Sequence, residues 1–337
     1  MRIVDCTTFV IANPPPHFGG RYFIVVKLTT DTGIVGSGEI YVATFGPHTV
    51  AAMVTDVAAR WVFDAVPNRI ELLWRRMYSS GYALRPDPTL VGVMSGIEMA
   101  CWDVVGKDAG KPVYDLLGGR IHERIRTYTY LYPADGRPDV YTDPVQAAEQ
   151  AAFEVGRGFT AVKFDPAGPY TAFDGHQPSL EDIDRSVAIT GAIREAVGSR
   201  ADLLFGTHGQ FTAAGAIRLA QRLEPFDPLW FEEPTQPDQP DEMARVARQT
   251  SIPVATGERL TTITEFAALA RHQAAAIWQP NLGRCGGLMA GKKIAAIAEA
   301  SGCQIAPHLY SGPILGAANV QLAATLPNLL IIEGIQD

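Results

Sequence analysis

His208, Glu232, Glu258, Asn281, His308 and Glu333 follow one another at intervals of 24, 26, 23, 27 and 25 residues, each near the end of a short apolar run. Carboxylates and imidazoles in this mixture suit two tasks, holding a hard divalent cation and moving protons. Magnesium prefers oxygen ligands and often takes only one or two protein carboxylates, so Glu232 and Glu258 are candidate Mg²⁺ ligands. His308, in Ile305-Ala306-Pro307-His308-Leu309, is a candidate base for the proton α to a cation-bound carboxylate, because the cation neutralises the enediolate charge. Lys163, in Val162-Lys163-Phe164-Asp165, is a second candidate acid or base if its neighbours lower its pKa; the plain alternative is a solvated lysine at a strand end. In Trp230-Phe231-Glu232-Glu233-Pro234, alternation sends the two glutamates to opposite faces, so at most one faces the site unless the strand has begun to turn. One glutamate at a strand end is equally well explained as a surface ion pair or helix cap. Repetition argues against that explanation for the set.

An interval of about 25 residues is what one strand, one helix and two loops occupy. Eight strand candidates fit this rhythm: 125–130, 161–165, 202–208, 229–233, 253–258, 275–281, 304–309 and 329–333. Ser179-Leu180-Glu181-Asp182 and Thr262-Ile263-Thr264-Glu265 have the spacing of capping boxes, and Ile183, Val187, Ile193 and Val197 supply an apolar helical face before Gly198. Eight strand–helix units close into a (β/α)8 barrel whose site lies at the carboxyl ends of the strands. The alternative, an open doubly wound sheet, usually shows a glycine-rich phosphate turn after its first strand, and none follows Tyr130. Before the barrel, Tyr22–Leu28 and Ile34–Glu39 flank an Asp31-Thr32-Gly33 turn as a hairpin, and a helical pattern runs from about Pro47 to Leu117. The fold class is therefore α/β, a (β/α)8-type barrel over 119–337 with an N-terminal α+β capping domain over 1–118.

The chain has 337 residues, 47% of them hydrophobic, and a formal net charge of −8. That acidity argues against a nucleic-acid partner, which needs a clustered basic face. No apolar run approaches the roughly 20 residues that span a bilayer, and the amino terminus has no signal-peptide core, so the expectation is a cytoplasmic protein with no membrane partner. Cys6, Cys101, Cys285 and Cys303 show no metal or disulfide spacing and are expected as reduced thiols.

With these residues in place the chain resembles the enolase superfamily, specifically the mandelate racemase subgroup and the acid-sugar dehydratases within it, such as galactonate dehydratase. The resemblance runs over nearly the whole chain. It rests on Ser95-Gly96-Ile97-Glu98-Met99-Ala100-Cys101-Trp102-Asp103, the 111–119 segment ending Leu117-Gly118-Gly119, the Glu-Glu-Pro at 232, Thr256-Gly257-Glu258-Arg259, Ile277-Trp278-Gln279-Pro280-Asn281 and Ala306-Pro307-His308. Sites of this superfamily use a Lys or His base with one or two Mg²⁺ ions on the ene-diolate. The resemblance makes Glu232 and Glu258 metal ligands, His308 the base, Glu333 a contact to the substrate carboxylate or enediolate, and His208 the acid that expels the β-hydroxyl. Loops around Arg21 and Arg85 would cap the mouth and bind the distal end of a small acid-sugar substrate. By the same analogy the protein is a homo-oligomer.

Three positions depart from the family pattern. Gly206 stands where the first metal carboxylate is usual, which makes Asp165 the candidate replacement from the neighbouring strand. Asn281 stands where an aspartate usually orients the base; an amide can still hydrogen-bond Nδ1 but cannot stabilise imidazolium by charge. The second strand carries Lys-Phe-Asp where racemases carry two lysines. The implied function is a Mg²⁺-dependent dehydratase of an aldonate or aldarate giving a 2-keto-3-deoxy acid. The alternatives are a racemase or cycloisomerase, with Lys163 and His308 flanking the α-carbon, and a sugar-acid-binding barrel without turnover.

Overall fold

The Asp31-Thr32-Gly33 turn, with Gly33 at φ 83°, folds β2 (Tyr22–Thr30) back on β3 (Val35–Ile40) as the expected hairpin. In the computed structural model, which describes residues 1–41, 45–80, 86–165, 167 and 175–335, a further strand, β1 (Ile3–Ala12), pairs antiparallel with the other edge of β2. β1 alternates poorly between buried and exposed residues, so its partner rather than its own pattern defines it. Helices α1 (Pro47–Val57), α2 (Ile70–Ser80) and α3 (Pro88–Ala109) share a core with this sheet that includes Ile24, Val26, Val54, Met77 and Ile97. The Asp87 carboxylate caps α3 by accepting from the Thr89 and Leu90 amides, and Gly110, at φ 61°, ends it. With 22 residues, α3 is long and apolar enough to cross a membrane, which corrects the expectation that no such run exists. Its apolarity serves burial, since 72% of its most apolar window lies inside the protein. Gly38 lets β3 lie directly on α3, because a Cβ there would overlap the Gly96 carbonyl.

All eight barrel strands form: β4 (Thr127–Tyr130), β5 (Ala161–Phe164), β6 (Asp202–Gly206), β7 (Trp230–Glu232), β8 (Val254–Thr256), β9 (Ile277–Trp278), β10 (Gln304–Ile305) and β11 (Ile332–Gly334). They lie parallel in the order β10-β9-β8-β7-β6-β5-β4-β11. A parallel bridge between Ile305 and Leu329 joins the two ends: the Ile305 amide donates to Asn328 at 2.9 Å and the Leu330 amide to Ile305 at 2.8 Å. The ladders are shorter than the apolar runs because the chain turns outward at the mouth, as His208 (φ 52°) and Glu233 (φ 40°) record. Of the helices α4 (Val113–Leu116), α5 (Pro144–Gly156), α6 (Leu180–Val197), α7 (Ala213–Leu223), α8 (Pro240–Ala247) and α9 (Ile263–His272), α9 carries the complete capping box at Thr262 and Glu265, while Ser179 accepts the Asp182 amide on α6. Tyr128, Leu204, Trp230, Ile277 and Ala306 fill the barrel interior, and a larger core lies between strands and surrounding helices. Cys101 and Cys285 are buried, and all four cysteines are free thiols.

The 95–103 motif clasps the two domains together. Glu98 accepts from the Leu288 and Met289 amides, both at 2.8 Å, at the start of α10 (Leu288–Ala300), and from Trp102 Nε1 at 2.8 Å. Ser95 Oγ accepts the Gly286 amide, and Trp74 Nε1 donates to the Gly286 carbonyl. Glu39 likewise accepts from Gly312 and Leu315 at the start of α11 (Pro313–Ala323). Two carboxylates of the capping domain thus occupy the positive ends of two barrel helices.

Candidate active site

Lys163, Glu232, Glu258, Asn281, His308 and Glu333 are all buried at the carboxyl ends of the barrel strands. Lys163 Nζ reaches Glu232 Oε1 at 2.6 Å and lies 4.0 Å from Glu333 Oε1. Burial opposes its charge, but Glu232, Glu333 and Glu258 outweigh that and raise its pKa. Its neighbours therefore act opposite to the sequence expectation of a lowered pKa, for the physical reason that three carboxylates surround one ammonium. Trp230 Nε1 donates to Glu232 Oε2 at 3.1 Å and Gln279 Nε2 donates to the same oxygen at 2.8 Å. Neither partner was singled out from sequence, although alternation places Gln279 on the face of Asn281 and Trp230 on that of Glu232.

His308 is held through Nδ1 by Asn281 Nδ2 at 2.8 Å. The amide orientation follows from its other contact: Asn281 Oδ1 takes the Gly283 backbone N–H at 2.9 Å, and that group can only donate. The amide NH₂ therefore faces the ring, Nδ1 accepts, and the ring proton sits on Nε2. Nε2 lies 3.3 Å from Glu258 Oε2 and 3.9 Å from Glu333 Oε2. Glu333 Oε2 also accepts the Leu309 amide at 2.7 Å, anchoring the turn that carries His308. Burial would raise the pKa of Glu258, but His308, His208, Lys163 and Arg259 hold it well below the usual carboxylate range. Tyr41 of the capping domain, another residue the sequence did not reveal, sets its ring 5.8 Å from the His308 ring.

β6 ends at Gly206, so His208 belongs to the following turn, and strand alternation does not reach it. Its Nδ1 nevertheless lies 3.3 Å from Asp165 Oδ2, just beyond β5. Burial works against its charge, but Asp165 and Glu258 push its pKa up to about 9. Glu233 turns away from Glu232 and binds Arg259 Nε at 2.8 Å, while Arg259 also donates to the His208 carbonyl at 2.9 Å. Arg21 is exposed and lines a cavity of about 190 Å³ with Tyr41, Tyr310 and Ser311. Phe18, on the same capping loop, stacks on Tyr132 at 4.4 Å. Arg85 lies outside the described residues.

The donor set offers poor accommodation for Mg²⁺. Asp165 Oδ2 is beside His208, Glu232 Oε1 is beside an ammonium, and position 206 supplies no oxygen. Glu258 Oε2 is buried without a hydrogen bond but lies 3.3 Å from His308 Nε2, and among the described residues no three His, Cys, Asp or Glu side chains group as a metal cage. The residues present therefore do not fit a resident octahedral ion.

A closed parallel barrel, a capping domain clasped over its mouth, and acids, lysine and histidines ringing that mouth define a protein of the enolase type. Residues 17–118 match the mandelate racemase / muconate lactonizing enzyme N-terminal domain and residues 146–337 the enolase C-terminal domain-like family, so the chain belongs to the enolase superfamily. Membership generally implies a divalent metal. A D-galactonate dehydratase of Ralstonia nicotianae is 35% identical over 94% of this chain and 77% of its own length. A D-gluconate dehydratase of Thermoproteus tenax is 32% identical over 94% of this chain, which spans 61% of that relative. The crystal structure of a mandelate racemase/muconate lactonizing enzyme-like protein from Roseovarius sp. TM1035 superposes with a TM-score of 0.98 at 56% identity, over 100% of this chain and 86% of that one.

Proposed function

We propose that the protein is an acid-sugar dehydratase acting on an aldonate or aldarate. The observation that carries this reading is the pairing of His208 with Asp165, which favours a protonated imidazolium at the mouth, while His308, held through Nδ1 by Asn281, lies 3.3 Å from Glu258. His208 can give a proton, and His308 can take one once its own ring proton has moved to Nδ1. His308 Nε2 takes the proton α to the substrate carboxylate. His208 gives its proton to the β-hydroxyl, which leaves as water, and the resulting enol becomes a 2-keto-3-deoxy acid. Because the resting proton of His308 sits on Nε2, the Asn281 amide must turn over before that nitrogen can accept. The Arg21 cavity beside Tyr41 and Tyr310 offers the distal hydroxyls or second carboxylate a binding surface.

A bound divalent cation supplies charge neutralisation to enediolates in this superfamily, and Mg²⁺ is the ion that oxygen donors favour. The poor fit of the present donors keeps it out of the steps above. A racemase would need Lys163 to exchange protons readily, and the carboxylates around it oppose that. Incubation with a panel of aldonates and aldarates, reading keto-acid formation, tests the proposal. Formation of product from at least one member is expected, and none from any member, with and without divalent ions, refutes it.

A further inference from the structure

Gly206 looks like a missing metal ligand, but its neighbours give it another purpose. β5, β6 and β7 are adjacent, and Gly206 stands directly opposite Glu232 in the parallel register. Lys163 starts on β5 and ends on Glu232 of β7, so its side chain crosses β6. A Cβ at position 206 would lie 3.3 Å from Lys163 Cε, and any longer side chain would stand in the path of the lysine. We propose that Gly206 is the passage through which the Lys163 ammonium reaches Glu232, and that this ammonium takes the place of the resident divalent cation. The proposal rests on the dehydratase reading for its substrate, a carboxylate, and it deepens that reading by naming the charge that binds it.

The surroundings suit a fixed monovalent cation. The ammonium has Glu232 at 2.6 Å and Glu333 at 4.0 Å, and lies 5.8 Å from the Tyr130 ring centroid and 6.0 Å from that of Tyr128. Carboxylate and aromatic faces both favour a positive charge. A divalent ion on the same Glu232 oxygen would meet the lysine charge at close range in a site 2% exposed, where like charges repel strongly. An ammonium has three donors, and Glu232 takes one, which leaves the others for the oxygens of a substrate carboxylate or its enediolate. Charge neutralisation then comes from the chain itself.

Titration with Mn²⁺, read by the loss of the free-ion electron paramagnetic resonance signal, tests this without any substrate. The wild-type protein is expected to show no saturable site, and Gly206→Asp, which restores a carboxylate opposite Glu232, to gain roughly a hundred-fold in Mn²⁺ affinity. Lys163→Met should also gain affinity by freeing Glu232. If that variant does not fold, the wild type and Gly206→Asp decide alone, because the one tight contact of a Cβ at 206 is with the flexible end of a lysine, the Phe164 carbonyl lying at an ordinary 3.7 Å. A wild-type protein that binds one Mn²⁺ tightly overturns the proposal, and so does a folded Gly206→Asp protein that gains nothing. Failure to dehydrate any acid sugar would instead refute the dehydratase reading and leave these titrations standing.

Discussion

Asn281→Asp should speed removal of the substrate α-proton, although it introduces a charge at a fully buried position. In the wild-type protein Asn281 satisfies two partners of fixed character: Oδ1 accepts the Gly283 N–H at 2.9 Å and Nδ2 meets His308 Nδ1 at 2.8 Å. For Nε2 to accept a proton the ring must carry its first proton on Nδ1, and the amide must then turn its oxygen to the ring and its NH₂ to Gly283. Two donors would face each other at Gly283, a cost of about 1–3 kcal/mol for a buried unsatisfied group. Aspartate removes the conflict, since one oxygen keeps the Gly283 bond and the other accepts from Nδ1. The bond to imidazolium also becomes charge-assisted, roughly twice as strong as a neutral one. A combined gain of about 3 kcal/mol corresponds to roughly a hundred-fold in the α-proton step. The assay is exchange of the α-proton in D₂O followed by proton NMR, with ¹⁵N shifts of the His308 ring reporting the tautomer. Asn281→Ala serves as the control that frees the ring without adding charge. A folded Asn281→Asp protein that shows the Nδ1–H tautomer and exchanges no faster than wild type would defeat the assignment of His308 to this step.

The β-hydroxyl step should depend on His208 in its charged form, so elimination falls as pH rises through about 9. Asp165→Asn moves that limb down toward the ordinary histidine value; a pH–rate profile that does not move removes His208 as the acid. The same raised pKa sets a sign for stability: the His208–Asp165 contribution is complete below the unfolded histidine pKa of about 6.5 and is lost as pH rises through about 9. Urea midpoints of wild type and His208→Asn should therefore converge at the alkaline end. Glu98→Ala leaves the Leu288, Met289 and Trp102 donors without their acceptor and should destabilise the protein by on the order of 3 kcal/mol in denaturant unfolding, with an unchanged midpoint counting against the clasp. Gly38→Ala forces β3 away from α3 and should lower the melting temperature, whereas Gly33→Ala, which meets no neighbour, tests only the turn backbone.

The strands and helices of the barrel were readable because their signals are local. Apolar runs of four or five residues, hydroxyl–acid pairs at helix starts and a 25-residue rhythm each depend on near neighbours in the chain. The same rhythm was enough to bring Glu232, Glu258, Asn281, His308 and Glu333 to one mouth, since parallel strands deliver their carboxyl ends to one side. β1 escaped the sequence reading because its exposure pattern is irregular and its register comes from β2. His208 reached the site by a left-handed turn rather than by strand alternation, a distinction that residue type does not encode.

Sequence by itself determined a capped barrel with an acid-and-histidine mouth, and it marked Gly206 and Asn281 as departures from the family pattern. What those departures do was decided only by tertiary structure. The meaning of Gly206 depends on a lysine 43 positions earlier crossing the strand to a glutamate 26 positions later. The protonation of His308 depends on which way an amide faces, and a backbone N–H two residues beyond Asn281 fixes that. Hydrogen bonds and close approaches across strands set charge and tautomer, and those contacts exist only once the barrel has closed.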